Sequence, residues 1–181
     1  LNLSWYNQLI QSARNGKLPV QFNHTNRSDA VIVGGYGKLD LIQNTDRLRI
    51  LDALGVTHIL DRTENQSDQE TFPPSRFEQE KQFDGWTVMY NKNTASRFFL
   101  TTNIDTYSSK EEFEKKFFDP KFRPDTTILL EKNPLRSTQS FTTQPSIFLV
   151  SYLPNTVAFR TTTDIESVLF LSDTYAPGWN A

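Results

Sequence analysis

Cysteine is absent from the 181 residues. That excludes disulfides, zinc–thiolate sites, iron–sulfur clusters and thiol nucleophiles, while the redox compartment stays open. Long runs of Lys or Arg are also missing, because 19 basic and 21 acidic side chains are mixed along the chain for a net charge of −2. A phosphate backbone needs clustered cations, so nucleic acid is not an expected partner. No stretch reaches the roughly 18 to 20 apolar residues of a membrane-spanning helix, and the N-terminus lacks the basic-then-apolar pattern of a signal peptide. The chain as it stands is expected to be soluble. Histidine is scarce: His24 and His58 are the only two, and neither has a carboxylate at a zincin-like offset. There is no Gly-x-Ser-x-Gly elbow for a serine hydrolase. Gly34, Gly35 and Gly37 match neither the dinucleotide fingerprint nor a P-loop and read as a plain turn. Neither a cofactor nor a metal is expected.

What is present describes a folded, somewhat polar globular chain, 36% hydrophobic and 22% charged, with enough length for one substantial core or two small ones. Trp5, Leu9 and Ala13 at helical spacing, with Gly16 as a stop, predict a short helix near the start. The polar stretch from Pro19 to Asp29 reads as a loop, and Ala30 to Val33 as an apolar strand. Asp46 can cap a helix whose Leu48, Leu51 and Leu54 share a face and whose C-terminal stop is Gly55. Val56 to Leu60 then reads as a strand, closing a small α/β unit whose two strands lie parallel. Asp61 to Glu80, rich in Asn, Gln, Asp, Glu and Pro, reads as a long surface excursion. Trp86 to Tyr90 and Arg97 to Leu100 pair most simply as a hairpin.

A second helix is expected from Ser109, where Ser109 and Glu112 have capping-box spacing and Phe113 and Phe117 lie one turn apart. Asp119-Pro120 ends it. Beyond it come strands over Thr127–Leu130, Ile147–Leu153, Val157–Thr163 and Ser167–Leu171, the last three an antiparallel meander joined at Pro154-Asn155 and Thr163-Asp164. The expected fold class is α+β: a small α/β unit followed by an antiparallel β-sandwich, incomplete at its C-terminal end. The expected division is residues 1–104, the α/β unit with its long polar loop, and 105–181, the helix with the sandwich portion.

Two C-terminal stretches carry a resemblance. Tyr152-Leu153-Pro154-Asn155-Thr156-Val157 and Val168-Leu169-Phe170-Leu171-Ser172-Asp173-Thr174-Tyr175-Ala176-Pro177-Gly178-Trp179 resemble the C-terminal extracytoplasmic region of the bacterial YfhO membrane protein family, with its Pro-Asn turn and Ser-Asp-x-Tyr-x-Pro-Gly-Trp end. Leu54 to Leu60, Tyr90-Asn91-Lys92-Asn93, Ala95-Ser96-Arg97-Phe98-Phe99-Leu100, Phe118-Asp119-Pro120 and Ile128 to Glu131 follow in the family's order, with Ser96 where Pro is usual. The resemblance spans roughly residues 45 to 181. Only the Pro-Gly-Trp end is distinctive by itself. It implies a polytopic membrane protein similar to lipid-linked-sugar glycosyltransferases, with this domain on the extracytoplasmic face of the bacterial cell membrane and associated with the cell envelope. The catalytic carboxylate would then belong to an early loop between transmembrane helices, outside this chain. The expected partners are the transmembrane part of the same protein and a cell-envelope glycan. The chain accordingly reads as an excised, non-catalytic fragment, and the family's further strands after the Trp are missing from it.

Among candidate binding residues the aromatics stand out, since 13% of the chain is Phe, Trp or Tyr. Rings stack on sugar C–H surfaces, so Trp86, Tyr90, Tyr175 and Trp179 are the candidate carbohydrate-binding set of an independent module. Core packing is the competing role, because alternating aromatics in strands are usually buried. Asp61, Glu64, Asp68 and Glu70 supply hard oxygens without calcium-loop spacing. The carboxylate pairs Glu111–Glu112 and Glu78–Glu80 read as solvated and not as glycosidase pairs.

Overall fold

The computed structural model describes residues 4–13, 15–19, 45–136, 139–173 and 178–180. The expected loop from Pro19 onward lies almost wholly outside these residues. So do the strand over Ala30–Val33, the glycine turn, His24 and Tyr175. The fold is α+β. Helix α1 runs Ser4–Ser12, α2 Thr45–Ala53 and α3 Lys110–Phe117. The strands are β1 His58–Arg62, β2 Phe77–Phe83, β3 Trp86–Asn91, β4 Phe98–Thr101, β5 Asn103–Thr106, β6 Thr127–Leu130, β7 Ser146–Leu153, β8 Thr156–Thr162 and β9 Val168–Leu171.

These three helices meet in one apolar cluster, formed by Ile10 of α1 and Ala13 just after it, Ile50 and Leu51 of α2, and Phe117 of α3. The α1 segment ends where Gly16, at φ +66°, donates its N–H to Ser12 O. α2 ends in a Schellman motif: Gly55 at φ +70° donates to Asp52 O, Val56 donates to Leu51 O, and Val56 packs on the cluster. This motif also moves the strand boundary. With its N–H committed to α2, Val56 stays out of the ladder, and β1 starts at His58, not Val56.

β1, β3 and β2 form an antiparallel sheet in that order. Here two expectations fail. The segment Asp61 to Glu80 is not all surface loop: Thr71, Phe72 and Phe77 are buried, and β2 occupies its end. β3 pairs with β1 and β2, not with β4. The deciding residues are Asp84 and Gly85, both at positive φ (43° and 76°), the signature of a two-residue primed turn that matches strand twist. They join β2 to β3 directly. Phe72, Phe77 and Met89 form a second core under this sheet, and Leu48 and Ile59 touch both cores.

β4 pairs antiparallel with β9. The expected three-strand meander therefore reduces to the β7–β8 hairpin, closed at Pro154-Asn155, with β9 lying elsewhere. The turn after β8 is held away from a hairpin because Asp164 Oδ2 accepts from Thr142 N at 2.9 Å and Thr143 N at 3.0 Å. β9 instead brings Phe170 against Phe99, with ring centroids 5.0 Å apart. The two antiparallel ribbons contact each other where Phe98 of β4 meets Phe159 of β8 at 5.0 Å. β5 and β6, joined through α3, form a parallel pair, so a strand–helix–strand unit does occur, across residue 104. The division expected there is crossed by both the β4–β9 and the β5–β6 ladders.

Candidate functional site

Two of the four candidate aromatics share a surface. Strand residues alternate between faces, so Trp86, Val88 and Tyr90 of β3 lie on the face opposite buried Met89 and Asn91. The register adds His58, Leu60 and Arg62 from β1 and Glu78, Lys81 and Phe83 from β2 to that face. Leu60 and Phe83 are exposed, while Trp86 and Tyr90 are half-buried. Four residues of strand separate Trp86 from Tyr90 by about 13 Å. The Arg62 guanidinium lies 5.0 Å from the Trp86 ring centroid and covers one face of the indole. Tyr90 leans on His58, with centroids 5.5 Å apart. The surface therefore offers apolar area with charged neighbours, and part of the Trp86 ring is already used. Trp179 follows β9, which belongs to a different sheet, and is 38% exposed.

The polar candidates have local partners. His58 is exposed, its ring bonding Thr57 Oγ1 at 2.9 Å and Glu80 Oε2 at 3.0 Å. Glu78 and Glu80 stand on β2 and not in a loop. Glu112 closes the start of α3: Ser108 N and Oγ donate to its carboxylate at 2.8 and 2.7 Å, and Ser109 Oγ accepts from Glu112 N at 3.2 Å. The capping box thus reaches back one residue further than expected. Those bonds from Ser108, with Lys116 beside them, hold the Glu112 carboxyl down to about 2. In the acidic stretch, Asp61 accepts from Asn65, Glu64 pairs with Arg62, and Asp68 accepts from the Glu70 and Thr71 amides. Among the described residues no three carboxylates or histidines cluster in a way that could hold a metal ion.

The sequence reading missed a cleft of roughly 590 Å³ between α2, the turn after β3 and the segment linking α3 to β6. Four cations line it: Arg49 of α2, Arg76 just before β2, Lys92 just after β3, and Arg123. Asp52 and Asp125 are the carboxylates, and Phe118 and Phe122 give it an apolar wall. Asp52 Oδ1 accepts from Arg76 Nη2 and, at 3.0 Å, from the fully buried Asn91. Asn91 also donates to Val56 O at 3.1 Å. Arg123 forms a two-bond pair with Asp125 at 3.2 and 2.9 Å, which lowers the Asp125 carboxyl. The cations come from four separate segments, which is why no local run announced them.

A third constellation joins the stretches on which the resemblance rests. Arg97, before β4, donates to the Tyr152 hydroxyl on β7 and lies over its ring, 4.6 Å from the centroid. That hydroxyl donates to Asp173 Oδ2 at 2.8 Å, and Arg97 reaches the same oxygen at 3.3 Å. The bond to Asp173 holds the Tyr152 phenol above its ordinary range. Arg97, Tyr152 and Asp173 belong to the Ser-Arg-Phe, Tyr-Leu-Pro-Asn and Ser-Asp stretches in turn. Together they pin β7 to the β4–β9 ribbon.

Comparison with protein-family models, with curated proteins and with solved structures gives no match. Fold and sites accordingly define a mixed α+β protein with an open aromatic sheet face and a cationic cleft. No helix among the described residues is long and apolar enough to cross a membrane.

Proposed function

We propose that this chain is an accessory, non-catalytic extracytoplasmic domain of a polytopic membrane protein resembling the lipid-linked-sugar glycosyltransferases of the cell envelope. The observation that carries the reading is the role of the residues behind the resemblance. Arg97, Tyr152 and Asp173 tie ribbons together, and Asn91 is a fully buried strut between α2 and β3. Such architectural duties agree with a domain that serves as a scaffold. A second support is the β7–β8 hairpin, which carries Phe148, Val150 and Leu153 at 58 to 63% exposure. Apolar side chains so placed suit a domain that sits beside further parts of its own protein.

The test uses the full-length protein in intact cells. This domain has no cysteine, so a Ser140→Cys on the exposed segment before β7, compared with the unsubstituted full-length protein as the labelling background, reports its location. Labelling by a membrane-impermeant maleimide without permeabilisation is the expected result. Labelling only after permeabilisation, or a parental gene without a series of hydrophobic spans ahead of Leu1, refutes the reading.

A second reading, an independent carbohydrate-binding module, is favoured by the shared face of Trp86 and Tyr90. Its test is glycan-array binding that Trp86→Ala abolishes while the fold stays intact.

A further inference from the structure

We infer that the cationic cleft beside α2 binds a small phosphate monoester, a property independent of where the domain resides. The charge balance of the lining is the first ground. Four cations face two carboxylates, and each carboxylate is matched to one cation, Asp52 to Arg76 and Asp125 to Arg123. Among the described residues no carboxylate lies within ion-pair distance of Arg49 or Lys92. Arg49 donates to Phe122 O at 2.5 Å and Asp119 O at 3.1 Å, and Lys92 Nζ donates to Pro74 O. Neutral carbonyls position these two side chains, and Asp52 and Asp119 offset the Arg49 charge only from beyond ion-pair distance. An excess of two positive charges within one concavity matches a dianion, and a phosphate monoester carries about −1.5 to −2 near neutral pH.

The second ground is the state of the arginines. Burial pushes the Arg49 guanidinium down from its ordinary range and Arg76 and Arg123 add to this, while Asp52 and Asp119 act against it. Arg76 Nε is buried with no hydrogen-bond partner among the described residues. Arg49, pushed down by burial and by its cationic neighbours, sits where added negative charge is favourable. The third ground is size and lining. A cleft of roughly 590 Å³ falls in the range of small-molecule sites and exceeds what a bare ion fills. Phe118 and Phe122 supply the apolar wall for the body of the ligand, and Asn93 and Thr94 supply polar groups at its rim. Arg49 itself lies 5.7 Å from the Phe122 ring centroid, so the cation that would hold the phosphate adjoins the wall that would hold the body.

Titration calorimetry at fixed ionic strength tests this on the whole chain, with phenyl phosphate, inorganic phosphate and succinate as probes. The expected result is saturable one-to-one binding of phenyl phosphate, tighter than that of inorganic phosphate because only the ester reaches the apolar wall. Lys92→Gln should weaken it about tenfold. Arg49→Gln should do the same. Since it also removes two ties to the α3–β6 segment, the exposed Lys92 keeps the test valid if that variant fails to fold. Non-saturable binding, equal binding of phosphate and phenyl phosphate, unchanged affinity in Lys92→Gln, or tighter binding of succinate each overturns the inference.

Discussion

Replacing Asp52 by Ala should be among the most damaging single changes available in this chain. Asp52 is buried, and so is most of the side chain of Arg76, which is 15% exposed. Among the described residues this carboxylate is the only ion-pair partner of Arg76, and it also receives the Asn91 amide at 3.0 Å. Truncation leaves a largely buried guanidinium without its counter-charge and one donor of Asn91 without its acceptor. Breaking a buried pair from one side costs about 3–5 kcal/mol. That is a large fraction of the roughly 5–15 kcal/mol that separates folded from unfolded domains. With a urea dependence of about 2 kcal/mol per molar, the unfolding midpoint should fall by roughly 1.5–2.5 M. The control is Arg76→Met, which removes the charge and keeps the apolar stem against Phe77, whose ring centroid lies 5.4 Å from the guanidinium. The double variant should be less damaged than the sum of the two singles, because neither charge is then stranded. A loss below about 1 kcal/mol in Asp52→Ala, or strict additivity with Arg76→Met, would refute the reasoning.

Glu112, with its carboxyl held down to about 2 in the folded chain against an ordinary 4.5, contributes stability that is present above pH 4.5 and lost as pH falls toward 2. Unfolding midpoints measured across that window should decline less in Glu112→Gln than in the parent. Gly55→Ala places a Cβ 3.6 Å from Ala95 O, an ordinary contact, but at φ +70°, so it should cost about 1 kcal/mol by conformation alone, checked by urea unfolding. Asp173→Asn replaces the anionic acceptor that favours the protonated Tyr152 phenol by a neutral, weaker one. Ultraviolet difference titration should show one tyrosine moving down toward the ordinary range near 10, and no movement would contradict the three-residue tie.

Legibility in the sequence followed how local each signal was. The end of α2 was readable because Gly55 performs one conformational task that few other residues accept. The start of α3 was readable because Ser109 and Glu112 are neighbours in sequence and in space. β2 was hidden by its own composition: Phe-Glu-Gln-Glu-Lys-Gln-Phe is a strand buried only at Phe77, and its charges resemble those of a loop. The Asp84-Gly85 pair marks the β2–β3 hairpin, yet by composition alone the apolar run of β3 matches the next apolar run, β4, better than the charged β2. The partnership of β4 with β9 had no local trace. It is decided by facing Phe99 and Phe170 across some 70 residues of chain. The cleft was illegible for the same reason, as its cations come from four separate segments, whereas the even spacing of Trp86 and Tyr90 within one strand is enough to put them on one face.

The pairing of β4 with β9 also orders events during synthesis. The sheet of β1, β3 and β2 has all its members once Asn91 has emerged, yet Phe98 to Thr101 must wait for Val168 to Leu171. At about 5–20 residues per second that interval lasts roughly 3 to 13 seconds. Throughout it, Phe98, Phe99 and Leu100 have no strand to shield them, so a nascent chain stalled in this window is the form most exposed to holdase chaperones and to proteolysis.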